Sequence, residues 1–140
     1  MNINVRWANE TDAENLMLLN QEFNGVGLSI SDVLTSIRQS KELIALAILD
    51  EEPVGFACAQ WFNSFCYPHG QGEITEMYIQ EKARRKGLAT QLIDFLEQEF
   101  RCRGVKSVNI LTGRDNVQAH KTYTRSNYMK KDEVVFQKKL

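Results

Sequence analysis

The sequence predicts a mixed α/β (α+β) fold: one domain over residues 1–140, a central sheet of about six strands, helices on both faces, and the order β-α-α-β-β-β-α-β-α-β. Three observations carry this. "LIALAIL" (Leu43–Leu49) is a continuous apolar run of strand length, the mark of a central strand. After the turn "DEEP" (Asp50–Pro53), "VGFACAQWF" (Val54–Phe62) runs back beside it as a hairpin. Further on, a strand, a basic glycine turn, an amphipathic helix and another strand follow in succession, which is a crossover unit set among antiparallel neighbours.

Taken in order, Ile3 to Arg6 form a short first strand. Thr11 or Asp12 caps a helix whose Leu16, Leu19 and Phe23 share one side, and Gly25 and Gly27 end it. Ser29 or Ser31 opens a shorter helix to about Gln39, with Val33, Leu34 and Ile37 inward. The hairpin follows, then a loop over Asn63–Gln71 and the strand "GEITEMYI" (Gly72–Ile79). In the next helix Ala89, Ile93, Leu96 and Phe100 fall at i, i+4, i+7 and i+11, and Gly104 stands where a helix-ending glycine belongs. "VKSVNIL" (Val105–Leu111) is a strand, Asp115–Asn127 a helix that Asp115 can cap, and "EVVFQKK" (Glu133–Lys139) a closing strand.

The chain is 43% hydrophobic and 25% charged, with a formal net charge of −1. Such a balance gives no case for bulk nucleic-acid or membrane binding, so recognition by charge has to be local. The first residues lack the basic and apolar regions of a signal peptide, and no apolar stretch is long enough to span a bilayer. Cys58, Cys66 and Cys102 form no C-x-x-C pair and read as free thiols of a cytoplasmic protein. His69 and His120 have no partners at metal-ligand spacing, so no metal is expected.

The basic turn is the informative stretch. Arg84-Arg85-Lys86-Gly87-Leu88-Ala89 opens a helix, where backbone N–H groups lack partners and the dipole is positive. Gly87 and Ala89 let an anion approach the backbone closely, and Lys82, Arg84, Arg85 and Lys86 add positive charge. The pattern is neither G-x-x-x-x-G-K-S/T nor G-x-G-x-x-G. Basic residues on a solvated turn are common, so the turn alone does not decide the matter.

The arrangement resembles the GNAT acetyltransferases. The R-x-x-G-x-A turn between a strand and an amphipathic helix is similar to the family's pyrophosphate signature. "VRWANETDAENL" looks like its first strand and helix, and "DNVQAHKTYTRSNY" like its N-x-x-A…Y-x-x-x-G-F/Y segment. Asn127 stands where the family usually has glycine, and asparagine is the next-best residue for a left-handed helix end. The resemblance implies acetyl-CoA as co-substrate, lying between two splayed strands. Met77, Tyr78 and Ile79 would pair with its pantetheine arm, and the N–H groups from Arg85 to Thr90, Leu88 among them, would hold its pyrophosphate. It also implies that Asn116, in the segment with Ala119, contacts the pantetheine.

Acetyl transfer to an amine needs a neutral amine, a held carbonyl, an oxyanion donor and a proton for the leaving thiolate. Strict alternation puts Glu73, Thr75, Met77 and Ile79 on one face and Ile74, Glu76 and Tyr78 on the other, so only one glutamate can face the reaction without a bulge. The resemblance favours Glu73 as general base over Glu76. It also implies Tyr123 as the acid near the sulfur, protonated at neutral pH, with the N–H of Tyr78 or Met77 as oxyanion donor.

The resemblance implies that Asn20–Arg38 and Asn63–Gln71 shape the acceptor pocket; with Trp61 and Phe62 just before the second, they supply Glu22, Asp32, Phe65 and Tyr67, a composition suited to a cationic amine. The tail resembles that of aminoglycoside N-acetyltransferases, which implies an aminoglycoside- or polyamine-like acceptor. Protein N-termini, lysine side chains and a non-catalytic acyl-CoA sensor are the alternatives. The family's fold often dimerises, which leaves a homodimer possible, but the sequence gives no clean interface.

Overall fold

The computed structural model describes residues 1–140. Five strands form one sheet in the order β1-β2-β3-β4-β5: β1 Ile3–Trp7, β2 Leu43–Leu49, β3 Glu52–Phe62, β4 Gly70–Ile79 and β5 Val105–Ile110. The first three pairings are antiparallel and β4–β5 is parallel. Helices α1 (Ala13–Asn24) and α2 (Ile30–Gln39) cover one face. Helix α3 (Leu88–Cys102) covers the other, where Tyr123 of α4 (Val117–Arg125) also packs.

The alternation of β2 and β3 explains the two layers. Ala45, Ala47, Ala57 and Ala59 face α3, whose Leu92, Ile93, Leu96 and Phe100 fill the space that small side chains leave. Leu46, Ile48 and Phe56 face α1 and meet Leu16 and Leu19. Gly72 lies under the Phe100 ring, where a β-carbon would come within 2.8 Å of it. The β2–β3 hairpin closes through Asp50 and Glu51 alone, both left-handed (φ 48 and 71), as a two-residue turn requires.

Several boundaries differ from the sequence reading. Neither Thr11 nor Asp12 caps α1 through its side chain. Asn9 caps a preceding 3-10 turn (Glu10–Asp12) in a reciprocal capping box with Asp12. Buried Asp12 instead receives two guanidinium bonds from Arg6, each 2.8 Å long, which tie β1 to the start of α1. Ser29 caps α2, with Asp32 returning the bond, and Gly25 ends α1 at φ 68. Asn116, not Asp115, caps α4.

The sheet has five strands rather than six, because Glu133–Lys139 pairs with nothing in the chain. A strand needs a partner for its N–H and C=O groups, and in this arrangement the segment has none. The end of α4 does match expectation. Asn127 is left-handed (φ 69), its N–H bonds the Thr124 carbonyl, and the Tyr128 N–H bonds the Tyr123 carbonyl, the paired closure of a Schellman motif. The Tyr128 hydroxyl then donates to Glu97 of α3 at 2.7 Å, which locks α4 against α3. No helix is long and apolar enough to cross a membrane.

Candidate active site

The site begins with a disagreement between neighbouring strands. β5 pairs with β4 only from Gly70 to Ile74, and beyond that point the two strands part. At the same place β4 carries a bulge: Cys58 pairs with Glu76 and Ala59 with Ile74, so Thr75 has no opposite residue. Its hydroxyl donates to the Cys58 carbonyl at 3.2 Å.

The bulge resets the alternation. Ile74, Met77 and Ile79 pack toward α3, while Glu76 and Tyr78 oppose Cys58 and Phe56 on the α1–α2 face, and Glu73 opposes Gln60 on that same face. The expected division of Glu73 from Glu76 is therefore wrong. Both project from one side, because one extra residue restores the parity that three residues of spacing would break.

A cleft of about 880 Å³ opens where the strands part. One wall is Met77, Tyr78 and Ile79 of β4; the floor is Arg84, Arg85, Gly87, Leu88, Ala89 and Thr90; the far wall is Asn116, Ala119 and Tyr123 of α4. These residues, expected together from sequence, line one cavity. Lys86, Glu73 and Glu76 do not line it. Sequence reasoning missed Phe23, Gln118, Thr122 and Arg125, which line it as well. Gln118, Thr122 and Arg125 carried a signal, since i, i+4 and i+7 share a helix face with the expected Ala119 alongside.

Backbone direction narrows the wall. Gln80 donates its N–H to Val54 of β3, and the Tyr78 carbonyl also points at β3, 2.4 Å from where a Gly55 β-carbon would stand. Alternate residues turn the other way, so Met77 and Ile79 present their backbone groups to the cleft and Tyr78 does not. Tyr78 contributes its ring: Phe23 stacks on it at 5.0 Å, and its hydroxyl donates to Glu22 at 3.0 Å. Burial, with the Glu22 carboxylate second, raises its phenol above the ordinary value.

The start of α3 is open. Unlike α2 and α4 it has no side-chain cap, and unlike α2 it has no acidic residue in its first turn. Arg85 (φ 63) and Gly87 (φ 82) are both left-handed, which curls the turn into a concavity of N–H groups. Gln91 makes the helix's first backbone bond, to the Gly87 carbonyl, leaving the N–H groups of Leu88, Ala89 and Thr90 without helix partners. Of the four basic residues, Lys82 is held by Glu52 at 3.2 Å, and Arg84 spends its Nε on the Ile79 carbonyl at 2.8 Å. Arg85, with Arg125 across the cleft, supplies the remaining charge.

Asn116 accepts the Ala119 N–H at 3.2 Å, so its carbonyl oxygen serves as a helix cap at the cleft edge. Tyr123 is half-buried, and burial raises its phenol above the ordinary value, so it is protonated at neutral pH. His120 Nε2 lies 2.9 Å from the Gly113 carbonyl and holds the loop before α4.

On the α1–α2 face, Cys58 is flanked by Glu42 and Glu76. Burial pushes its thiol well above the ordinary value, and the two carboxylates add to the effect, so it is no thiolate nucleophile. Burial also raises Glu42, a residue the sequence reading missed. Several residues expected around an acceptor have other work. Glu22 accepts from Tyr78 and Gln80, Asp32 caps α2, and Trp61 lies on the α3 face under the Arg103 guanidinium, 3.9 Å away. Phe62, Phe65 and Tyr67 are exposed.

Residues 8–128 match the sequence model of the acetyltransferase (GNAT) family. No curated protein sequence matches the chain at a significant level. Among solved structures, the aminoglycoside acetyltransferase AAC(6')-Iy, in complex with a CoA-based bisubstrate analogue, superposes with a TM-score of 0.86 at 18% identity, covering 100% of this chain and 99% of that one. A ribosomal-protein-alanine N-acetyltransferase from Brucella melitensis biovar Abortus 2308 gives 0.84 at 16% identity, covering 99% and 100%. An aminoglycoside acetyltransferase from an uncultured soil metagenomic sample gives 0.83 at 16%, covering 99% and 96%. At these identities the likeness is one of fold.

Proposed function

The chain belongs to the acetyltransferase (GNAT) family, and from that premise we propose that it transfers the acetyl group of acetyl-CoA directly to a primary amine of a small cationic molecule, through a ternary complex. The observation that carries this is the uncapped, doubly left-handed start of α3 at the foot of the cleft between β4 and β5. Ser29 caps α2 and Asn116 caps α4, and α1 runs on from a 3-10 turn that Asn9 caps. The α3 N-terminus faces a cavity, with Arg85 beside it, and fits a diphosphate.

Bound there, acetyl-CoA supplies the thioester whose acyl carbon the amine attacks. The chain's own groups do the rest. The inward backbone of Met77 and Ile79 suits an extended amide-bearing arm laid along β4 as a partial strand. The Met77 N–H is the oxyanion donor. Glu73 or Glu76 takes the proton that makes the amine neutral, directly or through water. The new C–N bond forms as the C–S bond breaks, the Tyr123 hydroxyl gives its proton to the departing sulfur, and the proton the acylated nitrogen then loses restores the phenol by way of solvent.

The acceptor reading rests on Glu42, Glu73 and Glu76 sharing the α1–α2 face of the sheet, a concentration of carboxylates that favours a cationic amine. Fold neighbours that act on aminoglycosides agree with this reading. Thermal unfolding with acetyl-CoA, with ATP as control, tests the cofactor, since a ligand of the folded state raises the melting temperature. Thiol release across aminoglycosides, polyamines and N-terminal peptides then tests the acceptor. A shift with acetyl-CoA but no release with any amine would replace the enzyme by a sensor module.

A further inference from the structure

Past Ile74, β4 has lost β5 and carries the Thr75 bulge, so β3 is its only strand partner there. A strand with one free edge beside a bulge bends and twists readily. Yet this is the stretch whose Met77 and Ile79 backbone faces the cleft. At a reacting centre a misplacement of about 1 Å costs on the order of 100-fold in rate. Something other than a neighbouring strand has to hold the end of β4 in place.

The last turn of α1 does so. Tyr78 and Gln80 stand two residues apart, so their side chains leave the strand on the same face. Both meet Glu22. The Tyr78 hydroxyl donates to Glu22 Oε1 at 3.0 Å, and the Gln80 side-chain amide donates to Oε1 at 3.0 Å and to Oε2 at 3.2 Å. The next residue, Phe23, lays its ring on Tyr78 at 5.0 Å with 20° between the planes, and meets Phe56 of β3 edge-on at 6.1 Å. Gly25 ends α1 directly afterwards. Between the two gripped residues, Arg84 holds the Ile79 carbonyl. Both groups that donate to Glu22 are neutral, so reach and geometry make the grip rather than charge. Expected from sequence beside the acceptor, Glu22 is turned to β4 instead.

We propose that Glu22 is a positioning residue: by gripping Tyr78 and Gln80 it sets the place of the cleft-facing backbone of Met77 and Ile79. What that backbone serves rests on the acetyl-CoA reading; the grip itself does not. Glu22 is exposed, so replacing it leaves the core intact. Glu22→Asp keeps the charge and falls one methylene short of the strand, whereas Glu22→Gln keeps the reach and an acceptor oxygen. Hydrogen exchange is read first, without ligand. The amides of Tyr78 and Gln80, which point at β3, should exchange roughly tenfold faster in Glu22→Ala and Glu22→Asp and near the wild-type rate in Glu22→Gln, with β2 and α3 unchanged. Tyr78→Phe keeps the ring on Phe23, drops the hydroxyl, and repeats the change from the strand's side. Calorimetry should then give an acetyl-CoA dissociation constant about tenfold higher in the alanine and aspartate variants, restored by glutamine. Unchanged exchange at Tyr78 and Gln80 would overturn the proposal. Protection lost across the whole sheet would overturn it too, since Glu22 would then support the fold at large. Faster exchange with an unchanged dissociation constant would reduce the grip to a surface contact and overturn the positioning role. A wild type that binds no acetyl-CoA would sink the cofactor reading alone, and exchange would still decide whether Glu22 holds the strand.

Discussion

Glu73 and Glu76 project from the same face of β4, because Thr75 between them is the extra residue of a bulge. Position along the strand still separates them. Glu73 lies within the β4–β5 ladder, whereas Glu76 lies past its end and adjoins Met77, whose backbone faces the cleft. Glu76→Gln is therefore expected to lower kcat more than Glu73→Gln, by roughly 100-fold if it removes the base. Acetyl-CoA affinity should stay near wild type in both. Steady-state kinetics on the best amine, with the acid limb of the kcat/KM profile, checks the order; an equal loss in the two variants would show that position along the strand does not select the base.

Tyr123→Phe removes a proton donor from the far wall of the cleft and leaves the ring in place. Turnover should fall by about 100-fold or more, and the acetyl-CoA dissociation constant should change little. Because burial holds the phenol above its ordinary value, wild-type activity should not decline through Tyr123 ionisation until the pH passes that ordinary value, about 10. Unchanged turnover in the phenylalanine variant would remove this hydroxyl from the reaction.

Gly87→Val tests the curled turn. There is open space around a β-carbon at this position, but φ is +82, a conformation β-branched residues resist. Left-handed strain of about 1–2 kcal/mol should weaken acetyl-CoA binding roughly tenfold, while α3 stays folded through its buried leucines. Titration calorimetry with acetyl-CoA gives the number.

Gly55→Ala acts from the next strand. Its β-carbon would stand 2.4 Å from the Tyr78 carbonyl and 2.6 Å from Ile79 Cδ1, and the first of these is backbone that cannot turn aside. Forcing β3 and β4 apart should cost about 1–3 kcal/mol. It should also weaken acetyl-CoA binding, since β4 is the wall of the cleft. Urea unfolding and calorimetry report the two effects separately.

Asp12→Asn probes the clamp between β1 and α1. The Arg6 guanidinium holds the Asp12 carboxyl below its ordinary range. A carboxyl depressed in the folded state stabilises the fold above its unfolded pKa, about 3.9, and that stability is lost as pH falls through the folded value. The variant should be less stable than wild type by about 1–3 kcal/mol at neutral pH, with the gap narrowing as pH falls below the unfolded value. Melting temperatures of both proteins across acidic pH check this.

Features visible in the sequence were those that depend on neighbours in the chain. The apolar run of β2, the i, i+4 spacing of α3, the glycine turn and the left-handed Asn127 each follow from local chemistry. The residues of the cleft were found because the turn, β4 and α4 each carry their own pattern. What escaped depends on distant partners. The Thr75 bulge is held by a carbonyl on another strand, and Phe23 meets Tyr78 only after α1 docks. The closing strand failed for the same reason, since the strand pattern of Glu133–Lys139 states a need without supplying the edge that meets it.

The parting of β4 from β5 makes the outer half of β4 half a sheet: satisfied on the β3 side and, but for the Ile79 carbonyl that Arg84 holds, bare on the other. In deuterated water the amides of Met77 and Ile79 should exchange quickly although they sit mid-domain between slowly exchanging strands, as should those of Leu88 to Thr90 at the foot of the cleft. A molecule that lies along β4 with its charged end on α3 would silence both groups together. The protein thus carries its own footprint assay, in which the pattern of newly protected amides reports how the ligand lies as well as that it has bound.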